Sequence, residues 1–450
     1  MVSPMTRFFK VLFTLILFIS GAASAASYKE YKTDNGTTIW HMENNHLPII
    51  SARIVFPIGA SHEAKDKKGL VTMASATMDE GAGDMPSEVF RKKLQDYNIK
   101  FSFNATQDFF SLNMSFMSFD RAEAEKLANL ALTQPRFDKE PIDLIRSQIL
   151  ATIRQDTTSP GGLIGRASRQ SYYANHPYAT SHRGNIQGLK NITQKDLKNF
   201  SKKLAQKGAF IAVVGDISKE DVLDFSKHIM ADLALENKFQ NNIPSLEKTV
   251  SADRFFIPLA TPQTHILFQK TGLKRHDPDY IAATVASHIL GGGGFGSKLM
   301  EVLREKNGLT YGVSSYMASG TYASRFHINY ATDNKTAEKS IKLTQDTLND
   351  YLAKGITQKQ LDSAVRYLKG YYPIQFNTNA QLSLLAQGLW EDGLSADYPD
   401  KRNAIFDALT VEQVTAAAQK LITPPYQIFA VGGKDKPKGF EVIKKEDIVF

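Results

Sequence analysis

Residues 291–311 read GGGGFGSKLMEVLREKNGLTY, a run of four glycines that leads into a short amphipathic helix and then into a turn. The predicted helix, Ser297–Lys306, has an apolar stripe of Leu and Met side chains, and Arg304 lies near its end and off that stripe. Tyr311 follows the turn and is predicted to open a strand that runs to Tyr316. The stretch therefore delivers one Arg and one Tyr from a single helix, turn and strand unit.

The glycine run superficially resembles a phosphate-binding loop. Such a loop carries Gly-Lys-Ser/Thr after a strand, whereas this chain has Gly296-Ser297-Lys298 after a predicted helix, 280–290. Nucleotide binding is excluded on that order. Instead, we expect the run to be a flexible hinge that lets the backbone pass close to a bound peptide. The substrate-binding positions predicted on it are Gly292, Gly293 and Gly294.

The chain contains an internal duplication. Three segments of the first half are similar, in the same order, to three segments of the second: 53–56 to 265–268, 192–197 to 409–414, and 212–216 to 429–433. The last two pairs share one register. Chance similarity of short apolar strands is the alternative, and the common order and register favour duplication.

Each half has the pattern of an α+β unit. Residues 99–103 and 109–116 alternate apolar with polar side chains, as half-buried antiparallel strands do. Helices are predicted at 121–132, with Asp120 as the N-cap, and at 141–154. Strands mixed with helix pairs predict a mostly antiparallel sheet with helices packed on one face.

The length of 450 residues calls for more than one domain. We predict a first half over 26–235, a linker over the polar stretch 236–250, and a second half over 251–450. Two similar lobes joined by a linker are expected to enclose a cleft.

The first 25 residues predict a secretory signal peptide. Arg7 and Lys10 precede an apolar run, 11–19, that is short for a bilayer span, and Ala23-Ser24-Ala25 is typical of a cleavage site. The chain has no cysteine, so disulfides, thiolate metal ligands and N-terminal lipid attachment through sulfur are excluded. A periplasmic or secreted location without stable membrane insertion is expected.

The charge balance argues against nucleic acid as a partner. The formal net charge of +8 falls to +6 once Arg7 and Lys10 leave with the signal peptide. A modest positive balance spread over this length is typical of a solvated surface, and an export signal argues in the same direction. We therefore expect no nucleic-acid partner.

The Leu-Arg-Glu-Lys-x-Gly-Leu-x-Tyr pattern at 303–311 resembles the second-half active-site element of the M16 (pitrilysin-like, insulinase-like) zinc peptidases. The resemblance implies that Arg304 and Tyr311 hold the substrate backbone and donate hydrogen bonds to the oxyanion formed when zinc-bound water attacks a peptide carbonyl. Taken singly, the arginine is typical of a solvated helix end and the tyrosine of a core aromatic. Their shared spacing favours function.

A second resemblance lies in the first half, where Phe103-Asn104-Ala105-Thr106 is similar to the family's strand-end Asn-Ala-x-Thr. It implies that Asn104 contacts the substrate backbone, although Asn at a strand end is also common turn chemistry. If the family geometry holds, an edge strand near it pairs with an extended peptide through main-chain hydrogen bonds.

The zinc motif of that family is missing. Family catalytic chains carry His-x-x-Glu-His on the first helix and a third, carboxylate ligand on a later one. Aligning Gly69-Leu70 with the family's Gly-Leu puts Thr72 and Ala76 at the two histidine positions and Ser75 at the general base. The later helix, near 146–155, has no acid. We therefore predict no metal in this chain.

No other histidine pattern predicts a replacement site. His41 and His46 have a spacing that does not align on a helix face, and His62-Glu63 is predicted to lie in a solvated, charged turn. The remaining histidines are scattered over different elements.

Together the sequence predicts a non-catalytic subunit of an exported two-chain metallopeptidase. Its partner, an M16-like chain with His-x-x-Glu-His, would hold zinc, and the heterodimer would cleave peptides in a shared cleft, while this chain alone would be an inactive pseudo-peptidase. One alternative is a protease-like peptide-binding or scaffold protein with no catalytic role. Another is an autonomous peptidase with an unrecognised site, whose activity would resist chelators.

Overall fold

The computed structural model describes residues 27–236, 242–246, 250–433 and 435–450. The predicted signal peptide lies outside the described residues, as does part of the predicted linker. The described chain forms two six-stranded, mostly antiparallel sheets, one built from residues before the interval 236–250 and one from residues after it. The α+β prediction is therefore confirmed. The strands in chain order are β1 Lys29–Lys32, β2 Thr38–Glu43, β3 Ile49–Phe56, β4 Gly81–Ala82, β5 Met85–Pro86, β6 Lys100–Ala105, β7 Phe110–Met117, β8 Phe210–Gly215, β9 Arg254–Pro258, β10 Gln263–Thr271, β11 Val313–Ser319, β12 Ser324–Asp333, β13 Gln427–Gly432 and β14 Glu441–Val442.

The two sheets have equivalent strand orders. The first runs β1-β2-β8-β3-β7-β6, and the second, taken in the same direction, runs β14-β9-β13-β10-β12-β11. In both, the closing strand of the half lies between the first two long strands, parallel to one and antiparallel to the other. The short strands β4 and β5 form a separate hairpin. The predicted duplication is therefore present in the topology.

The register of the ladders corrects one detail of the sequence alignment. Arg53 lies opposite Ala212 in the first sheet, and Leu267 lies opposite Phe429 in the second. If Ala212 is equivalent to Phe429, as aligned, then Arg53 is equivalent to Leu267 and not to His265. A displacement of two residues leaves every side chain on the same face of the sheet, so the apolar pattern could not reveal it.

Most helices of each half pack on one face of their own sheet, around a continuous apolar core in each half. Asp120 lies at the predicted N-cap position, but its side chain makes no capping hydrogen bond, because a 3-10 turn, Ser118–Asp120, runs directly into the helix. The helices are α1 Leu70–Thr77, α2 Ser87–Asp96, α3 Arg121–Thr133, α4 Lys139–Asp156, α5 Pro160–Tyr172, α6 Ile186–Asn191, α7 Gln194–Ser201, α8 Lys219–Met230, α9 Tyr280–Ser287, α10 Lys298–Met300, α11 Ala337–Lys354, α12 Gln358–Ile374, α13 Asn379–Glu391, α14 Tyr398–Asp407 and α15 Val411–Ile422.

The opposite face of each sheet is covered by a helix from the other half. Helix α13 of the second half packs Leu385 and Leu389 against Trp40 and Phe210 of the first sheet. Helix α5 of the first half packs on the second sheet, where its Leu163 joins an apolar cluster of that sheet. Each half therefore completes the core of the other.

This exchange explains the composition of the central strands. All six residues of β8, and all six of β13, are buried. A strand covered on both faces has no solvent side, so its sequence does not alternate and is apolar apart from Gln427 at the start of β13.

The described part of the interval between the halves contacts both of them, and the carbonyl of Pro244 is hydrogen-bonded to His176 Nε2 of the first half at 2.9 Å. The backbone N–H of Leu246 donates to the carbonyl of Tyr322 at 2.8 Å, and Val250 is buried. Within the described residues, no helix combines the length and the apolar character that a bilayer crossing requires.

Candidate functional site

The segment that carries Arg304 is an interrupted helix. Helix α9 continues as a π-helical turn, His288–Gly292, and α10 continues as a second π-helical turn, Glu301–Lys306. Gly308, at a φ of +61°, reverses the chain after the second turn. The prediction that Tyr311 opens a strand is wrong, because β11 begins only at Val313.

The guanidinium group of Arg304 lies over the ring of Phe295, 4.3 Å from its centroid. This cation–π contact is the only side-chain partner of Arg304 in the described residues, and Phe295 itself is 63% exposed. The 3-10 turn Gly294–Gly296 presents that ring. The stacking fixes one face of the guanidinium and leaves its N–H groups available to a ligand.

Tyr311 is 86% exposed, the highest value among the large apolar side chains of the described residues. Its hydroxyl group makes no hydrogen bond within the described chain. A core position for this tyrosine is therefore excluded. In the described residues, Arg304 and Tyr311 are therefore both donors without a hydrogen-bond acceptor.

The first glycine of the run packs tightly, against the prediction of a flexible hinge. Gly291 is buried in the π-helical turn, and a Cβ there would lie 2.9 Å from Ser315 Oγ and 3.0 Å from the Ser315 backbone nitrogen. Glycine is needed at this position for the close approach of the turn to β11. Gly292 and Gly294 are exposed, and Gly293 lies beside the His288 ring.

An exposed aromatic stack beside the run was missed in the sequence. The ring of His288 stacks on Tyr367 with centroids 5.0 Å apart, and Tyr367 stacks on Tyr371 at 5.6 Å. Both tyrosines are about half exposed, on one face of α12. Their spacing of four residues on a helix was the available signal.

The three positions of the missing zinc motif lie on α1, and their polar atoms are used inside the chain. Thr72 Oγ1 donates to the carbonyl of His182 at 2.6 Å, and Ser75 Oγ donates to the carbonyl of Thr72 at 2.9 Å. The methyl side chain of Ala76 has no atom that can bind a metal. Hydroxyls that donate to backbone carbonyls neither act as a base nor replace imidazole.

The acid at the end of α4 lies beside two arginines, whereas the family's third zinc ligand is a carboxylate that must be free to bind the metal. Asp156 ends α4, one residue beyond the segment considered in the sequence, and it faces Arg166 and Arg183 at 3.9 Å each. The same arginines, with burial as the larger cause, lower the pKa of His182. No group of three His, Cys, Asp or Glu side chains suited to a metal occurs in the part of the chain that the structure describes.

The prediction of a solvated turn at His62-Glu63 is wrong. The Glu63 carboxylate accepts hydrogen bonds from the backbone N–H groups of Gly69 and Val71, at 3.0 and 2.8 Å, and so satisfies the free donors at the start of α1. His62 Nδ1 accepts from the backbone N–H of Gly59 at 3.1 Å. Both side chains serve local structure.

Asn104 is exposed on β6, which is an edge strand of the first sheet. The prediction of an edge strand at this point agrees with the topology. The backbone groups on the outer side of β6 have no neighbouring strand in the described chain, so an extended segment could pair there.

The predicted site residues fall into separate groups within one chain. No hydrogen bond, ion pair or ring contact joins Arg304 or Tyr311 to the α1 positions, to Asn104 or to any other first-half residue described. The donor pair thus lies on a surface that this chain leaves open. Its assignment as an oxyanion-binding pair remains a prediction.

A family model described as "Peptidase M16 inactive domain" matches residues 191–368, which include the whole donor segment. The chain is similar to the "Non-peptidase homolog YmxG" of Helicobacter pylori, with 25% identity over 376 residues that span 82% of this chain and 85% of that protein. It is also similar to the "Zinc protease PqqE" of the same organism, with 24% identity over 365 residues, 78% of this chain and 79% of that one.

Among solved structures, the crystal structure of a peptidase M16 inactive domain from Pseudomonas fluorescens superposes with a TM-score of 0.86 and 29% identity. The match covers 92% of this chain and all of that one. The overall fold is thus shared with a chain described as a peptidase M16 inactive domain.

Proposed function

The chain belongs to the M16 peptidase family as a member without its own zinc motif, and on that premise we propose that it is the non-catalytic subunit of an exported two-chain zinc metallopeptidase. In this proposal a partner chain with His-x-x-Glu-His holds zinc and the general base. This chain supplies Arg304 and Tyr311 to the peptide in a shared cleft.

The observation that carries the proposal is the open position of the donor pair. Tyr311 is 86% exposed, and in the described residues the only side-chain partner of Arg304 is the exposed ring of Phe295, so neither donor group is used within the part of the chain that the structure describes. Hydrogen-bond donors of fixed geometry are what a developing oxyanion requires. The surface opposite them must come from another molecule.

The relatives support a division of labour between two chains. Helicobacter pylori has one relative named as a non-peptidase homolog and one named as a zinc protease, and this chain is similar to both over most of its length. Two chains of one fold can pair so that the second half of one faces the first half of the other.

The chemistry divides accordingly. The partner's metal would polarise the scissile carbonyl and supply the attacking hydroxide. Arg304 and Tyr311 would bind the substrate carbonyl oxygen as its negative charge develops, and the exposed edge strand near Asn104 and the glycine run would hold the extended peptide backbone.

The first test is purification of the tagged chain from its own cell envelope with the proteins that accompany it. We expect a second M16-like chain and about one zinc per pair, lost when the second chain is removed. A single zinc-free species would favour the alternative of a peptide-binding or scaffold protein. Zinc held by this chain alone would contradict the proposal.

The second test uses the purified pair. Arg304→Ala and Tyr311→Phe should each lower kcat for peptide cleavage by about 100-fold, as loss of one oxyanion donor does, without separating the chains. Lys195→Ala and Tyr97→Phe remove an exposed cation and an exposed hydroxyl elsewhere and should leave kcat unchanged. If all four variants have the same kcat, Arg304 and Tyr311 take no part in cleavage, and the scaffold alternative is favoured.

A further inference from the structure

A cavity of about 610 Å³ lies between the two halves, apart from the donor segment. The first half contributes the β6–β7 turn and the end of α5 with the tyrosines that follow it. The second half contributes residues 274–276, the β11–β12 turn, the first residues of β12 and the end of α13. Three guanidinium groups line it, that of Arg169 from the first half and those of Arg275 and Arg325 from the second, and only Arg275 has a carboxylate partner in the described residues.

Arg325 is 7% exposed, and no ion pair satisfies it in the described residues. Its Nη1 donates to Gln269 Oε1 at 3.2 Å, and its Nε has no hydrogen-bond partner there. The guanidinium lies 4.8 Å from the centroid of the Tyr173 ring. An ionised group held this far from water without a counter-charge is costly to keep.

Arg169 is close to the same ring, 5.9 Å from its centroid, and donates to the carbonyl of Tyr178 at 3.2 Å. It too has no carboxylate partner in the described chain. Burial, and then repulsion from Arg325, lower its pKa to about 10. The two cations thus share one aromatic surface and repel each other.

The acids of the cavity wall do not neutralise this pair. Asp392 accepts from Arg275 Nε at 3.0 Å. Asp108 is buried and accepts from the hydroxyls of Ser61 and Tyr178 and from the backbone N–H of Thr321. The remaining acid of the wall, Glu391, accepts from Gln387 at 2.7 Å.

Arg325 is also held in place. Gln269, which accepts from Arg325, donates through Nε2 to the Ser168 carbonyl and to Gln427 Oε1, at 3.0 Å each. A side chain fixed by such a network needs little reorganisation to bind a ligand.

We propose that this cavity binds a small oxyanion, a carboxylate or a phosphate group, between the guanidinium groups of Arg169 and Arg325. Arginine presents paired N–H donors in a geometry that matches both groups. Two sources would supply this chemistry: a phosphorylated or free phosphate ligand, and the C-terminal carboxylate of a short peptide. The inference is independent of the proposed protease partnership.

The test is thermal unfolding of the full chain with inorganic phosphate, with trialanine, and with trialanine amide, each against chloride of equal ionic strength. We expect a saturable rise in Tm with one of these probes, which we call the active probe. A rise with phosphate would identify a phosphate ligand, and a rise with trialanine but not with its amide would identify the C-terminal carboxylate of a peptide. Phosphate also stabilises proteins non-specifically, so variants are needed.

Arg325→Gln and Arg169→Gln should weaken the apparent affinity for the active probe about ten-fold or more, while Arg366→Gln, an exposed arginine outside the cavity, should not change it. If Arg325→Gln does not fold, Arg169→Gln decides, because that side chain is only partly buried. A rise in Tm of equal size in the two cavity variants, or no saturable rise with any probe, would overturn the proposal.

Discussion

The carboxyl group of Glu391 lies at the C-terminal end of α13, in the wall of the cavity between the halves. Burial raises its pKa to about 7, the negative charges of Asp392 and Asp108 act in the same direction, and the hydrogen bond from Gln387 opposes them. Gln387 is in turn bonded to Arg53 of the first sheet at 3.1 Å. Protonation of this acid therefore affects the contact between the halves.

A raised acid pKa makes the folded chain bind more protons than the unfolded chain between about pH 4.5 and 7. The free energy of unfolding should therefore fall as pH rises through that window, by about 2 kcal/mol from this residue after allowance for its partial exposure. Glu391→Gln should remove that part of the slope in denaturant titrations at several pH values. Glu441→Gln, at an exposed position, should retain it. Parallel slopes in all three proteins would show that the raised pKa is not the source.

Single residues were predictable from sequence where a motif with fixed spacing marked them. Arg304 was predicted to lie at a helix end and does so, and Thr72 and Ser75 were correctly placed on the helix that lacks the zinc motif. The role of Glu63 was not predictable, because the two backbone donors that it satisfies become available only when α1 starts seven residues later. The arginines of the cavity come from opposite halves, and no local pattern brings them together.

The π-helical turn before the donor segment sets the distance between that segment and β11. Gly291 is the contact point, since its backbone lies directly against Ser315. A methyl group there would have to displace backbone and not only a flexible side-chain end.

Gly291→Ala should lower the stability of the chain by about 1–3 kcal/mol, because it overpacks the contact with β11. It should also lower the activity of the paired enzyme, because β11 and the donor segment move apart. Gly296→Ala is the matched control, since a Cβ at Gly296 has no heavy atom within 4 Å. Thermal unfolding and peptide cleavage measured on both variants check this, and equal loss in both would point to a need for flexibility instead.

At the scale of elements, strands with strict alternation were predicted within about two residues, as at β6 and β7. The interrupted helices were predicted only as helices. A π-helical turn has the same composition as an α-helix and differs by one inserted residue, so sequence periodicity does not resolve it.

The two halves are interlocked and not merely tethered. Leu389 is 6% exposed beneath the first sheet, although it belongs to a helix of the second half. On the same helix Leu384 is 48% exposed and points away from that contact. The same Leu→Ala substitution can therefore be compared at a buried and at an exposed position of one helix.

Leu389→Ala should destabilise the chain by about 2–5 kcal/mol, and Leu384→Ala by no more than about 0.5 kcal/mol. Hydrogen exchange of the backbone amides of β2 and β8 should accelerate in the first variant, because the cover of their sheet is loosened. Acceleration confined to α13 itself would show that the first sheet is stable without it.

The whole-molecule arrangement was predicted only in outline. The duplication of the sheet followed from repeated segments and from mixed elements, whereas the shared cleft stays a prediction. The exchange of helices did not, because an amphipathic helix carries no information about which of two similar apolar sheets it will cover. The paired assembly stays a prediction, since its surfaces are solvent-exposed in one chain.

The crossing of α13 onto the first sheet has a consequence for biosynthesis. Whether the chain emerges from a ribosome or from an export channel, the first sheet comes early, and the helix that covers its second face follows only when most of the chain has emerged. Until then Trp40 and Phe210 remain uncovered, so the first half is open to aggregation or to chaperone binding. Folding of this protein is thus timed by the arrival of residues 379–391, and a chain truncated before them is left with an unfinished N-terminal half.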